Sequence, residues 1–216
     1  MIEKKRAFLR RLGRDTRGAS MVEFSLIAFL LFVVTGGLVD FGYGLYQWNS
    51  ATKALQLGAR LASISDPVDK SLKNWDGLNG GAVPGDPFPD FERVCSGASQ
   101  SCSGCAIDNC YDSAAMNTII FGRGQASCGT VADQTPAICD IFSRVQPANV
   151  VITYQNTGLG FAGRPGGPVP TITVELTGLT FQFMFLNGLL GFGPITMPAM
   201  KTTATGEDMN TTWTSS

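Results

Sequence analysis

One segment near the start constrains this chain more than any other. From Ala19 to Val39 (ASMVEFSLIAFLLFVVTGGLV) the only charged residue is Glu23. At about 1.5 Å of rise per residue, a helix of about 20 such residues crosses a hydrocarbon core about 30 Å thick. The chain is therefore expected to carry a membrane span over 19–40. A cleaved secretory signal is the main competitor. The run is longer than a usual signal core, and Asp40, Phe41 and Gly42 follow it instead of an A-x-A-like site.

Charge gives the span a direction. Lys4, Lys5, Arg6, Arg10, Arg11, Arg14 and Arg17 precede it against only Glu3 and Asp15, whereas the remainder is acidic and the whole chain carries a net charge of −1. A basic flank on one side and an acidic body on the other place residues 1–18 in the cytoplasm and the rest outside. A nucleic-acid-binding basic arm is excluded by the apolar run that follows at once, so no nucleic-acid partner is expected. Histidine is absent from all 216 residues. That removes the commonest general base and metal ligand together, so no enzyme, cofactor or metal site is expected.

The helical pattern outlasts the apolar run. Phe41, Leu45, Trp48, Thr52, Leu55, Ala59 and Ala62 recur at steps of four and three, with Gln47, Lys53, Gln56 and Arg60 off that face. Asp66-Pro67 stops the helix, because proline disfavours helical backbone before it and lacks an amide donor. One helix from Ala19 to Ser65 is expected, with 41–66 as an amphipathic stalk.

Residues 67–148 read as a loop-rich insert holding Cys95, Cys102, Cys105, Cys110, Cys128 and Cys139, with a short helix over Ser113–Phe121. An even number of cysteines on the exported side reads as disulfides, each worth about 2–4 kcal/mol, with pairing left open by the sequence. The C-x-x-C at Cys102–Cys105 allows metal or redox readings, but no βαβ pattern surrounds it. Asp66, Asp69, Asp76, Asp86 and Asp90 match no calcium-loop spacing. Over 149–208, segments 149–155, 169–176, 179–186 and 195–205 are β-branched, aromatic and punctuated by glycine and proline, as in an antiparallel sheet. Gly158-Leu159-Gly160-Phe161-Ala162-Gly163 spells a nucleotide-loop pattern, yet Arg164-Pro165-Gly166-Gly167-Pro168 follows where the required helix would start. Residues 209–216 form a polar tail. The expected class is α+β: a membrane helix continuing as a stalk, packed on a small antiparallel sheet with a cysteine-rich insert.

Arg17-Gly18-Ala19-Ser20-Met21-Val22-Glu23-Phe24 closes a basic leader with glycine and sets a lone carboxylate five residues later, at the head of the span. This resembles a type IV prepilin signal. Together with Gly58-Ala59-Arg60-Leu61-Ala62 on the following helix, it resembles the TadE-like family of pseudopilins in tight-adherence (Flp-type) pilus systems. The resemblance implies a minor pilin or pseudopilin in the inner membrane, with its C-terminal domain periplasmic or extracellular. It implies that Gly18 precedes the bond cut by a prepilin peptidase, that Ala19 becomes the new N-terminus, and that Glu23 is the mature fifth-position glutamate. Ala59 and Arg60 would be its stalk-helix motif. The implied partners are the lipid bilayer, other pilin-like subunits, the assembly machinery and that peptidase. A membrane-tethered binding module or adhesin without an assembly role is the alternative.

Overall fold

A computed structural model describes residues 18–79, 81–105, 107–129 and 136–210. The basic leader through Arg17 and the end of the polar tail lie outside the described residues. The chain divides into two compact units: residues up to Leu45 with Gln182–Pro194, and Tyr46–Phe181 with Ile195–Ser216.

Helix α1, Ala19–Ser63, is a single element of 45 residues that enters both units. It stops two residues earlier than Asp66-Pro67 alone requires. The Ile64 amide already turns back to the Leu61 carbonyl, and Asp66 then bonds Lys73 at 2.9 Å.

In the first unit, α1 exposes its apolar side chains almost without exception: Phe24 is 73% and Phe32 74% exposed. The remaining segment of this unit carries a short helix, Phe185–Leu190. Sequence pattern had suggested a strand through Leu186. An apolar run of this length is ambiguous by periodicity alone, and the observed strand is only Thr180–Phe181.

The second unit holds the sheet. Strands β1 (Glu92–Ser96), β2 (Ser101–Ser103), β3 (Val150–Gln155), β4 (Thr171–Leu176) and β7 (Met200–Thr205) pair antiparallel in the order β2-β1-β3-β4-β7. Strands β5 (Thr180–Phe181) and β6 (Ile195–Thr196) make a separate two-stranded ribbon. The sheet thus draws two strands from the segment expected to be loop. Their short, polar sequences, ERVCS and SCS, show little alternation; pairing of β1 to β3 and of β2 to β1, rather than local pattern, holds them extended. On β3 and β4 the alternation is clear: Val150, Ile152, Tyr154, Ile172, Val174 and Leu176 are buried.

Two short helices complete this unit: α2, Ser113–Phe121, and α3, Ile138–Ile141; the segment Phe185–Leu190 of the first unit is α4. Helix α2 has the bounds its sequence indicates. Asp112 caps it by accepting the Ala114 and Ala115 amides at 2.9 and 3.2 Å, and Met116, Ile119 and Ile120 are fully buried.

The stalk face differs from the expected one. From Phe41 onward the buried residues of α1 are Gln47, Ala51, Ala54, Leu55, Gly58, Ala59, Leu61, Ala62 and Ser63, while Phe41, Leu45 and Trp48 stay exposed. The stripe is turned by about one residue, because small side chains decide how closely helices approach. A Cβ on Gly58 would stand 2.7 Å from Ile138 Cγ1, so α3 packs directly on the bare backbone there. The buried Gln47 accepts a bond from Arg144 at 3.2 Å. Along the other side, Thr52 Oγ1 meets Met200 Sδ at 3.9 Å and the Ser63 carbonyl accepts the Glu207 amide, which lays the stalk beside β7.

Candidate functional site: the membrane helix and its two ends

Gly18 sits in an exposed turn at the foot of α1, and its carbonyl accepts the Val22 amide at 3.2 Å. The bond after Gly18 is therefore at the junction of turn and helix. Glu23 is exposed on the first turns. Ala19 and Glu23 are four residues apart in one helix, so they share a face one turn apart.

At the far end of the apolar segment is a second carboxylate whose role was not read from the sequence. Asp40 has no exposed surface. Its Oδ1 accepts the amides of Met184 at 2.8 Å and Phe185 at 3.2 Å, and its Oδ2 those of Phe185 at 3.1 Å and Leu186 at 2.8 Å. These amides open α4. The signal available was a lone acid directly after an apolar run; its partners, more than a hundred residues away, carry no mark.

Between Gly18 and Asp40 the helix satisfies its own polar groups. Ser25 Oγ donates to the Val22 carbonyl and Thr35 Oγ1 to the Leu31 carbonyl, both at 2.8 Å. The segment is long and apolar enough to cross a membrane, and almost none of it is covered by protein. Such a surface is what lipid covers, not what a soluble core helix shows.

On the stalk, Ala59 and Arg60 differ in exposure. Ala59 is buried, Arg60 is exposed in the last turn, and the Arg60 carbonyl accepts the Ser63 hydroxyl at 2.8 Å. A cation in the last turn suits the helix dipole.

Four of the six cysteines are bridged, Cys95 to Cys102 and Cys105 to Cys110. Cys95 and Cys102 are direct cross-strand partners on β1 and β2. The C-x-x-C is accordingly not a unit, since its two cysteines belong to different bonds. The Cys102, Cys105 and Cys110 sulfurs lie within 4.8 Å of one another, but as disulfides they lack the thiolate a metal needs. Cys128 and Cys139 are thiols in side-chain contact, at variance with the expectation that all six are bridged. Burial, then the Cys128 neighbour, pushes the Cys139 thiol up to about 12.

The nucleotide-like glycine run is loop, with Gly158, Gly160 and Gly163 at φ of 84°, 78° and 81°. Those left-handed values are turn geometry and no helix opens there.

The family model described as TadE-like protein matches residues 18–60. The TadE-like segment thus starts at the turn glycine, covers the lipid-facing helix and ends at Arg60, three residues before α1 ends. No curated protein and no solved structure matches the chain.

Proposed function

We propose that this protein is a single-pass inner-membrane, pilin-like component that takes part in assembling a tight-adherence pilus. The observation that carries the reading is the coincidence of the TadE-like match with α1 from its first turn to its last. The helix works by packing in the bilayer and along other pilin-like helices. The exposed stripe Phe41, Leu45 and Trp48 beyond Asp40 supplies surface for the second contact.

Orientation follows from two independent supports. The basic leader favours the cytoplasmic side. Two disulfides suit an oxidising compartment, and this supports a sheet and insert lying outside the cytoplasm. Continuity of α1 into the core of the second unit argues against a discarded signal sequence, because removal of the apolar segment would cut an unbroken helix. The absence of histidine supports a structural role over an enzymatic one.

In the processed form, a prepilin peptidase cuts after Gly18 and the Ala19 amine pairs with Glu23 on its own or a neighbouring helix. A carboxylate near a bilayer costs up to about 2.5–3.5 kcal/mol at mid-depth, and an amine one turn away offsets that. N-terminal sequencing of protein purified from membranes tests this. Expected is a chain starting at Ala19; a chain starting at Met1 in cells with an active prepilin peptidase would exclude processing. Glu23→Ala is expected to impair piliation while export continues, and unchanged piliation would count against the assembly role.

A further inference from the structure

The segment Gln182–Pro194 leaves the ribbon at Phe181 and returns at Ile195, its direct register partner. It contains no charged residue. It displays Met184, Phe185, Leu189, Leu190 and Phe192 outward, each about half exposed or more, with Phe185 at 53% and Leu189 at 54%. A patch so apolar is an aggregation liability in water unless something covers it.

Its attachment shows what covers it. The segment forms one compact unit with the lipid-facing part of α1. Asp40 accepts the amides of Met184, Phe185 and Leu186 at the start of α4, and Phe185 packs where α1 has only Gly36; a Cβ on Gly36 would come within 3.1 Å of Phe185 Cβ. Depth follows from helix rise. With Ser20 at the inner edge of the hydrocarbon, Gly36 lies about 24 Å along the helix and Asp40 about 30 Å, at the outer edge of a core about 30 Å thick. Phe185 is therefore about 6 Å inside the outer boundary, the depth of about 5–10 Å at which interfacial amphipathic helices bury their apolar faces. Phe41, Tyr43, Tyr46 and Trp48 follow directly on α1, an aromatic belt at the same boundary. Backbone at that depth must be satisfied without water. Asp40 does this for the start of α4, and the Gly191 amide closes its end on the Asn187 carbonyl at 3.0 Å.

We propose that Met184–Phe192 is a second membrane contact, lying in the interfacial layer of the outer leaflet with its apolar side chains in lipid and fastened to the membrane helix by Asp40. The contact makes the anchor two-pronged: α1 crosses, and α4 fixes the tilt and rotation of α1 from the side. This rests on α1 spanning the bilayer as read above.

The test uses the full chain in vesicles of phosphatidylethanolamine and phosphatidylglycerol that include a phospholipid with a diazirine in its acyl chain. After irradiation, lipid adducts are mapped by peptide mass spectrometry. Expected are adducts both within Ser20–Val39 and within Met184–Phe192. Adducts confined to Ser20–Val39 overturn the second contact and leave the anchor standing. Adducts in neither segment overturn the anchor itself. In Asp40→Ala the adducts of Met184–Phe192 are expected to fall to background while those of Ser20–Val39 persist; undiminished adducts would remove Asp40 as the fastening.

Discussion

Tyr154 shows how one polar atom organises the domain core. Its ring is fully buried on β3, and its hydroxyl oxygen accepts the Val68 amide at 3.0 Å, tying the sheet to the chain just past α1. Next to that amide, Asp69 is fully buried and faces Arg93 Nε at 3.4 Å, an ionic contact without hydrogen-bond geometry. The Arg93 guanidinium also lies 5.9 Å from the ring centres of Trp75 and Phe91. Burial, and then the Asp69 charge, raise the Tyr154 pKa above its ordinary 10.0. The sign of the pH effect follows. Below pH 10 the phenol is neutral in both states and its stabilisation is complete. As pH rises past 10 the unfolded phenol ionises while the folded one resists, so stability is lost. Tyr154→Phe is expected to cost about 1–3 kcal/mol at neutral pH by orphaning the Val68 amide. The penalty should shrink above pH 10, because phenylalanine has no proton to lose. Denaturant unfolding of both proteins at pH 7 and pH 10.5 reads this, and a gap that widens with pH would refute it. At this scale the sequence was partly legible. The bounds of α2 are legible because its Asp112 cap is local, whereas Asp40 and Tyr154 find their partners far along the chain.

Among the elements, α1 was the most legible and its face the least. Length, the stop before Pro67 and the lipid-facing span follow from composition. Of the stripe expected at Phe41, Leu45, Trp48, Thr52, Leu55, Ala59 and Ala62, the last three are buried, but Phe41, Leu45 and Trp48 are exposed, and Ala51, Ala54 and Gly58 join the packed face through closeness of approach. Gly58→Val is therefore expected to destabilise the second unit by about 1–3 kcal/mol, since its side chain must displace Ile138. Paired with Ile138→Ala, the cost should fall. A thermal-melt double-mutant cycle with no coupling would show that the contact is not the cause. The cysteine-bearing strands β1 and β2 were read as loop for want of alternation. What remains of the cysteine expectation lies with Cys128 and Cys139, whose segments are also joined by Gly129 N to Asp140 Oδ1 at 3.4 Å. Outside the cytoplasm an oxidoreductase carrying a disulfide is expected to oxidise this pair. The exposed Cys128 sulfur would attack the donor to give a mixed disulfide. Cys139, held protonated by burial, would then lose its proton and displace the donor thiol, leaving one Cys128–Cys139 bond and a reduced donor. Peptide mapping without reduction should recover that linked pair; an alkylatable Cys128 in protein taken from the membrane would rule the bond out.

At the scale of the molecule, two units share one helix and serve different solvents. The first is apolar and uncovered by protein. The second has its own sheet, core and disulfides, with Tyr154, Leu55, Ile119 and Ile172 all buried. Such a partition predicts that the second unit folds without the first. The chain crosses between them at α1 and again at the ends of Gln182–Pro194. Because Phe181 and Ile195 are register partners, an Asn-Gly turn can join β5 to β6 and remove that whole segment without disturbing the ribbon. A chain beginning at Tyr46 and carrying this turn is expected to dissolve without detergent, to keep both disulfides and to melt cooperatively. The full chain should float with vesicles and leave them only in detergent. The shortened chain also keeps the part of α1 that packs on α3 and β7, so nothing its core needs is lost. Aggregation of the shortened chain, or scrambled disulfides, would mean that the lipid-facing unit takes part in folding the domain. Flotation of the shortened chain would mean that the sheet domain binds lipid on its own, and that the membrane contact does not end with α1 and α4.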